Sequence, residues 1–112
     1  MTQEEKEVLL KDLCARLPYG VICKSKSYRN ILFDSTHISL IESEEIKPYL
    51  RPMSSMTEKE KKEYDVFCLA PYLGIDEESA SNFIDWLNRN MFDYRGLIEK
   101  GLALKAPENI YK

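Results

Sequence analysis

The sequence predicts an α+β fold: an N-terminal helix, a small antiparallel sheet of three or four strands, and two or three C-terminal helices that cover it. Three observations lead to this prediction. Capping motifs precede apolar residues at helical spacing near the N-terminus and in the second half of the chain. Residues 20–42 are rich in branched apolar residues at alternating positions, and proline or glycine separates the segments. The short connections between the strand-like runs favour antiparallel pairing.

The composition indicates one globular domain over residues 1–112. The hydrophobic fraction of 44% and the charged fraction of 31% are typical of such domains. The net charge of −3 disfavours a dedicated nucleic-acid binder, because neutralisation of phosphates supplies most of the affinity of such proteins. No apolar run approaches the ~20 residues that span a bilayer. The acidic start, "MTQEEKEVLL", is unlike a secretion signal, so we expect a cytoplasmic protein.

The first predicted element is a helix that starts at a capping box, in which Thr2 is the N-cap and Glu5 stands three residues later. Pro18 and Gly20 are expected to end this helix. Its predicted apolar face consists of residues at helical spacing, namely Leu9, Leu10, Leu13, Cys14 and Leu17.

Three strands are predicted next, at residues 20–25, 30–34 and 37–42, with a hairpin break at Ser35 and Thr36. Alternation places Val21, Cys23 and Phe33 on one face of the sheet. The segment that follows, "IKPYLRP", contains Pro48 and Pro52 and lacks two backbone donors. It is therefore predicted to be an extended edge segment or an irregular connection.

The second half of the chain is predicted to be helical. Thr57 and Glu60 form another capping box in "TEKE", and Asp76 is a candidate cap for the next helix. A short third helix is expected between Asp93 and Gly101, and "LALKAP" is either a final strand or a packed tail. The predicted apolar stripe of the second helix, flanked by Trp86, comprises Ala80, Phe83, Ile84, Leu87 and Met91.

Enzymatic chemistry has weak support in the sequence. A nucleophilic Cys23 with His37 and Asp34 would need hydrogen-bond contact between thiol and imidazole, yet alternation places Cys23 toward the core. The three cysteines, Cys14, Cys23 and Cys68, contain no C-x-x-C pair and are expected to be buried, inert thiols. The four glycines are scattered and form no phosphate-binding loop. We therefore expect no catalytic residue, metal or organic cofactor.

Two surfaces are candidates for binding. One is a basic patch that would grip a phosphate backbone and stack a base; the alternative is a solvated hairpin end beside a charged edge strand. It comprises Lys24, Lys26, Tyr28, Arg29 and Lys47.

The other candidate lies in the stretch "KPYLRPMSSMTEKEKKEY". Methionine and aromatic side chains form adaptable contact surfaces when exposed, but the same methionines also fill gaps in cores. The candidate partner-binding residues are Tyr49, Arg51, Met53 and Met56. A homo-oligomer formed through the sheet edge or the Trp86 helix is an open alternative.

Residues 1–23, 47–64 and 85–112, which include "KPYLRPMSSMTEKEKKEY" and "DWLNRNMFDYRGLIEKGLALKAPENIYK", resemble a group of short, uncharacterised proteins from anaerobic gut bacteria and their prophages or mobile elements. Residues 24–46 and 65–84 depart from that group. The resemblance implies a cytoplasmic location and a prophage or mobile-element setting. It implies no mechanism and assigns no role to any residue.

The sequence thus predicts a small, non-enzymatic binding or regulatory protein that acts through a protein partner. The alternative is a nucleic-acid-associated accessory factor that uses Lys24, Lys26, Arg29, Lys47 and Arg51. A small enzyme with a cysteine nucleophile ranks third.

Overall fold

The computed structural model describes residues 2–26, 29–43, 46–69, 77–107 and 110–111. A four-stranded sheet lies in the order β2-β1-β3-β4. The strands are β1 (Ile22–Ser25), β2 (Asn30–Leu32), β3 (Ile46–Leu50) and β4 (Leu104–Lys105). The helices are α1 (Gln3–Arg16), α2 (Ile38–Glu42), α3 (Glu58–Leu69) and α4 (Glu77–Arg89). The predicted α+β class, with an N-terminal helix and two helices after β3, is confirmed.

The predicted strand at residues 37–42 is wrong: Ser35–His37 form a 3₁₀ turn that leads into α2. The carboxylate of Asp34 accepts the N–H of Thr36, and Nδ1 of His37 accepts the N–H of Asp34. This reciprocal cap starts helical backbone where the sequence had suggested a hairpin break. Ile41 then enters the core from α2, packed beside α1.

The proline-containing segment is an interior strand, β3, and not an edge segment. It pairs with β1 antiparallel, with Pro48 opposite Cys23. The carbonyl of Leu50 accepts the N–H of Ala106, so the backbone groups of Leu50 point toward β4. Every second residue of a strand has the same orientation, and Pro48 therefore also points its backbone groups toward β4. The ladder with β4 begins only at Tyr49. Pro48 therefore sits where the sheet needs no donor.

The sheet is mixed and not purely antiparallel, because β3 and β4 pair in parallel. The chain between them contains α3 and α4, a connection long enough for a parallel crossover. The short helix predicted after Asp93 is a series of turns. Asp93 still caps the backbone, since its carboxylate accepts the N–H groups of Leu97 and Ile98. The predicted cap at Asp76 lies outside the described residues.

The main core lies between α1 and one face of the sheet. Leu9 and Leu13 of α1 pack there with buried Val21, Cys23 and Phe33. The predicted capping box of Thr2 and Glu5 is present. Two residues that were predicted to face the core, Cys14 and Leu17, are exposed.

A charged pair occupies the buried face of α1 instead. Asp12 and Arg16 are both 0% exposed, and the carboxylate accepts the Arg16 Nε and Nη2 groups at 2.9 and 3.1 Å. Asp12 also accepts Arg95 Nη1 at 2.7 Å, and Arg16 Nη2 donates to the carbonyl of Phe92 at 2.6 Å. Among the described residues, Arg16 Nη1 has no hydrogen-bond partner. This network fastens α1 to residues 92–95.

A second cluster packs between α3 and α4. Trp86, Leu87 and Phe92 form its buried centre, and Phe67 and Phe83 stack on it with ring centroids 5.1 Å apart. Trp86, predicted to flank the stripe of α4, belongs to this core, whereas Ile84 is 44% exposed. The second cluster joins the chain after β3 through the bridge between Arg51 and Phe92, and the described residues form one α+β domain.

Tyr111 ties the C-terminal segment to the sheet where β1 and β3 separate. Its hydroxyl accepts the N–H of Ile22 at 3.0 Å and donates to the carbonyl of Tyr49 at 2.6 Å. Burial raises the pKa of this phenol to about 12. The hydroxyl therefore supplies hydrogen-bond partners to the Ile22 N–H and the Tyr49 carbonyl at the point where the two strands diverge.

Replacing Tyr111 with phenylalanine is expected to lower the free energy of unfolding by ~1–2 kcal/mol, because the Ile22 N–H loses its acceptor in a partly buried place. Urea denaturation followed by circular dichroism measures this change. Tyr19→Phe is the matched control, since Tyr19 is more exposed, and its cost should stay within about 0.5 kcal/mol. Equal costs at both positions would contradict this role for Tyr111.

Candidate functional site

A cavity of about 620 Å³ opens at the end of the sheet where β3 and β4 stop. Cavities of this size are typical of ligand sites. We call it the end groove; its walls come from the chain after β3, the first turns of α3, the end of α4 and the C-terminal segment. The described lining residues are Arg51, Pro52, Ser55, Thr57, Lys59, Glu60, Glu63, Arg89, Asn90, Met91, Lys105, Ala106, Pro107, Ile110 and Tyr111.

An ion pair between Arg51 and Glu60 forms one wall of the end groove. The guanidinium donates from Nη1 and Nη2 to the two carboxylate oxygens at 2.8 and 2.6 Å. Its Nη2 also donates to the carbonyl of Ser55. The two-point pairing with Arg51, aided by the N–H of Thr57, lowers the pKa of the Glu60 carboxyl to about 2. Glu60 is therefore charged and already engaged near neutral pH.

The local sequence explains how this pair is held. Thr57 and Glu60 form the predicted capping box: the Glu60 N–H donates to Thr57 Oγ1, and the Thr57 N–H donates to Glu60 Oε1. The Ser55 hydroxyl donates to the carbonyl of Pro52, which closes the turn between β3 and α3. The turn brings Arg51 back against the first turn of α3.

Residues 91–93, which follow α4, hold Arg51 in position. The Arg51 N–H donates to the carbonyl of Met91, and its carbonyl accepts the N–H of Asp93. Its guanidinium carbon lies 4.4 Å from the centre of the Phe92 ring, within cation–π range. Met91 has a φ of 59°, in the left-handed region that costs a side-chain-bearing residue roughly 1–2 kcal/mol. The bond to Arg51 holds that strained turn in place.

Glu63 is fixed in a similar way on the next turn of α3. Trp86 Nε1 donates to its carboxylate at 2.7 Å, which joins α3 to α4 at the groove. Both carboxylates that line the groove thus have internal donors. Glu60 is paired with the cation Arg51, whereas Glu63 accepts a neutral N–H and keeps its negative charge.

The described lining of the end groove carries a net charge of +2, from the cations Arg51, Lys59, Arg89 and Lys105 and the anions Glu60 and Glu63. Lys59, Arg89 and Lys105 are exposed and make no ion pair within the part of the chain that the structure describes. The whole chain has a net charge of −3. The groove is therefore a local positive site on an acidic protein.

The predicted partner-binding residues occupy different environments. Tyr49 is buried on β3, with 8% of its surface exposed. Met53 and Met56 are half-buried and pack against the Trp86 cluster, so they fill space beneath α3. Arg51 lines the end groove. Of these residues, Arg51 alone faces the cavity.

The predicted basic patch is partly assembled. Lys24 and Lys47 lie directly opposite each other on β1 and β3, on one face of the sheet. Arg29 closes the turn between β1 and β2, where its carbonyl accepts the N–H of Ser25, and Lys26 is exposed in the same turn. Tyr28, the proposed stacking residue, lies outside the described residues. Lys24 and Lys47 thus stand apart from the end groove.

The cysteines differ from the expectation of three buried thiols. Cys23 is buried, and burial raises its pKa to about 12, which makes it a poor nucleophile. Cys14 and Cys68 are exposed. His37 serves the cap of the 3₁₀ turn through Nδ1. Among the described residues, no group of three or more histidine, cysteine, aspartate or glutamate side chains is arranged to hold a metal ion.

Most of the groove residues were absent from the sequence prediction. Lys59 belongs to the mixed-charge run "EKEKKE", which looks like an ordinary solvated helix face. Arg89 and Lys105 come from distant segments and meet only in the folded chain. One signal was present in the sequence: Arg51 precedes the capping glutamate by nine residues across a proline turn.

Comparison with protein-family models, with curated proteins and with solved structures finds no match to this chain. The resemblance to short proteins of gut bacteria and their mobile elements therefore stays a prediction. In the described part of the chain, no helix has both the length and the apolar character needed to cross a membrane.

Glu60→Gln is expected to destabilise the protein by ~1–2 kcal/mol near neutral pH, because the substitution weakens a charge-assisted pair. The folded pKa of Glu60 lies below its unfolded value, so this stability is present above about pH 4.5 and is lost as the pH falls toward 2. Urea titrations at several pH values should show the difference between wild type and variant shrinking over that window.

The matched control for this prediction is Glu58→Gln. Glu58 lies in the same turn of α3, but its side chain is 89% exposed and its contact with Lys61 is 3.9 Å long. Exposed pairs contribute little, so its cost should stay within about 0.5 kcal/mol throughout. A difference between Glu60→Gln and wild type that does not vary with pH would contradict the assigned pairing.

Proposed function

We propose that the chain is a small, non-enzymatic binding or regulatory protein that acts through a protein partner, and that the partner docks in the end groove. One observation carries the proposal: Lys59, Arg89 and Lys105 surround an open cavity and make no ion pair among the described residues. Exposed polar side chains around a concave surface with some apolar lining are typical of a binding site. The proposed setting is the cytoplasm, and the resemblance adds a prophage or mobile element.

The fixed positions of the side chains in the groove wall also support this proposal. Arg51, Glu60 and Glu63 are held by internal hydrogen bonds, so the cavity walls do not depend on a ligand for their shape. A preformed site loses less conformational entropy when it binds. The poor nucleophilicity of buried Cys23 and the capping role of His37 favour binding over cysteine-based catalysis.

The test is an affinity pull-down from the lysate of the native host, divided into nuclease-treated and untreated halves, with mass spectrometry. Ser55→Trp adds bulk to the groove wall without changing its charge. Ser54→Trp is the matched control, because Ser54 is also exposed in the same turn but does not line the groove. We expect a protein that survives nuclease and is retained by wild type and Ser54→Trp but lost by Ser55→Trp. Equal recovery by all three forms, or no recovery, would overturn the proposal.

A second candidate function, nucleic-acid association, rests on the basic patch. Lys24 and Lys47 are direct cross-strand neighbours, so this face of the sheet carries two adjacent basic side chains. Binding to labelled single- and double-stranded DNA at several salt concentrations tests this candidate. It requires affinity that falls steeply with salt and is reduced by Lys47→Glu. Recovery that depends on nucleic acid in the pull-down would favour it over the first proposal.

A further inference from the structure

The end groove is lined both by positively charged side chains and by apolar side chains. Lys59, Arg89 and Lys105 supply exposed positive charge. Pro52, Pro107 and Ile110 supply apolar surface in the same cavity. A ligand that satisfies both must carry negative charges next to apolar groups.

We infer that the partner presents an acidic, partly apolar peptide segment to the end groove. This inference rests on the proposed function and names the chemistry of the partner. Carboxylates of the segment would pair with the exposed cations at the rim, while apolar side chains between them would cover the prolines and Ile110. Charges at a rim act mainly on association rate and on choice of partner, whereas apolar contact at the centre supplies affinity.

Charge complementarity favours this occupant over a neutral one. Glu60 is paired with Arg51, and the three exposed cations outnumber the remaining anion, Glu63, so an incoming carboxylate would meet net positive charge. The net charge of the groove also has the opposite sign to that of the whole chain. The site would therefore attract acidic segments that the rest of the surface repels.

The lining favours a peptide over a nucleic-acid strand. Single-strand binders add aromatic platforms to a basic track so that bases stack. Tyr111 is the aromatic residue in the described lining, and its hydroxyl is fixed between β1 and β3. The remaining apolar surface is proline and aliphatic, which suits side chains of a peptide.

The probe for the test is a fluorescein-labelled peptide of alternating glutamate and leucine, about eight residues long. Extended, it spans ~27 Å, comparable with the 29 Å width of the protein. Two comparison probes have the same length, a glutamine–leucine peptide and an oligothymidylate. Fluorescence anisotropy at low and at physiological salt measures binding to the full chain.

We expect the acidic peptide to bind more tightly than the glutamine peptide by at least about tenfold at low salt, and this ratio should shrink at higher salt. Lys59→Glu should lower the affinity for the acidic peptide by roughly three- to tenfold. Lys62→Glu is the matched control: it makes the same charge change on an exposed position of α3, but Lys62 does not line the groove. It should leave affinity within about twofold.

Three results would overturn the inference: equal binding of the acidic and neutral peptides, equal weakening by Lys59→Glu and Lys62→Glu, or tighter binding of the oligothymidylate. Its failure can be distinguished from failure of the proposed function. If a lysate protein is lost with Ser55→Trp but the acidic peptide shows none of these effects, the groove binds a partner of different chemistry. If Ser55→Trp changes nothing, the groove itself is not the docking site.

Discussion

Asp12→Asn is expected to lower the free energy of unfolding by roughly 3 kcal/mol or more, because it leaves the guanidinium of Arg16 buried without its counter-charge. Both side chains are fully buried, so water cannot compensate the lost charge. Arg16 Nη1 already lacks a hydrogen-bond partner in the part of the chain that the structure describes, which makes the remaining bonds more important. Small domains have total stabilities of about 5–15 kcal/mol, so a large part of that margin would be lost.

The measurement is urea denaturation of wild type and Asp12→Asn, with circular dichroism and tryptophan fluorescence as independent signals. Asp65→Asn, on the exposed surface of α3, is the matched control and should change stability by about 0.5 kcal/mol or less. A second variant, Asp12→Leu combined with Arg16→Met, removes both charges from the core.

The double variant separates the charge effect from a packing effect. Replacing a buried ion pair with apolar residues of similar size is often neutral or stabilising, whereas breaking it on one side is costly. We therefore expect the double variant to be more stable than Asp12→Asn by at least about 1 kcal/mol. A cost below about 1 kcal/mol for Asp12→Asn, or a double variant less stable than it, would contradict the assigned role.

The Asp12 network also matters for the end groove. Arg16 bonds the carbonyl of Phe92, and the ring of Phe92 lies under the guanidinium of Arg51. Arg51 in turn holds Glu60 at the groove wall. A continuous set of contacts therefore connects the buried face of α1 with the candidate site. Weakening the Asp12–Arg16 network is expected to loosen the groove wall formed by Arg51 and Glu60.

Local signals predicted the parts of the fold that depend on neighbouring residues. The capping boxes at Thr2 and Thr57 were recognisable because a hydroxyl and a glutamate three residues later satisfy backbone donors within one turn. The end of α1 before Gly20, which has a φ of 78°, was recognisable for the same reason. Such features need no information from distant parts of the chain.

The errors arose where tertiary contacts decided between two local options. Residues 37–42 alternate like a strand, but the cap at Asp34 and the burial of Ile41 against α1 select a helix. Pro48 indicated an edge, because nothing local shows that β4 begins pairing one residue later. The buried Asp12 looks like an ordinary surface acid until Arg95 and Phe92 are brought to it.

The candidate site was the least predictable part because its residues are separated along the chain. Arg51 alone among the proposed partner-binding residues lines the groove, while Lys59, Arg89 and Lys105 come from α3, α4 and β4. These three residues share one property: each is positively charged and makes no ion pair among the described residues. This property is visible only once the folded structure shows which cation each carboxylate pairs with.

Phe92→Ala is expected to destabilise the protein by about 3–5 kcal/mol. Phe92 is fully buried, and its ring lies 5.4 Å from that of Trp86 and 4.4 Å from the Arg51 guanidinium. Truncation removes the apolar burial of the ring, leaves a cavity beside Trp86, and removes the surface on which Arg51 rests. Urea denaturation gives the change in the free energy of unfolding.

Phe92→Leu distinguishes apolar volume from the aromatic face, because leucine refills most of the space without a ring for Arg51. It should cost ~1–2 kcal/mol, between wild type and Phe92→Ala. Val66→Ala, at a position 66% exposed, is the surface control and should change stability by about 0.5 kcal/mol or less. If Phe92→Leu matched wild type in stability and in acidic-peptide affinity, the ring would not position Arg51, and the groove wall would depend on the Glu60 pair and the backbone bonds to Met91 and Asp93 alone.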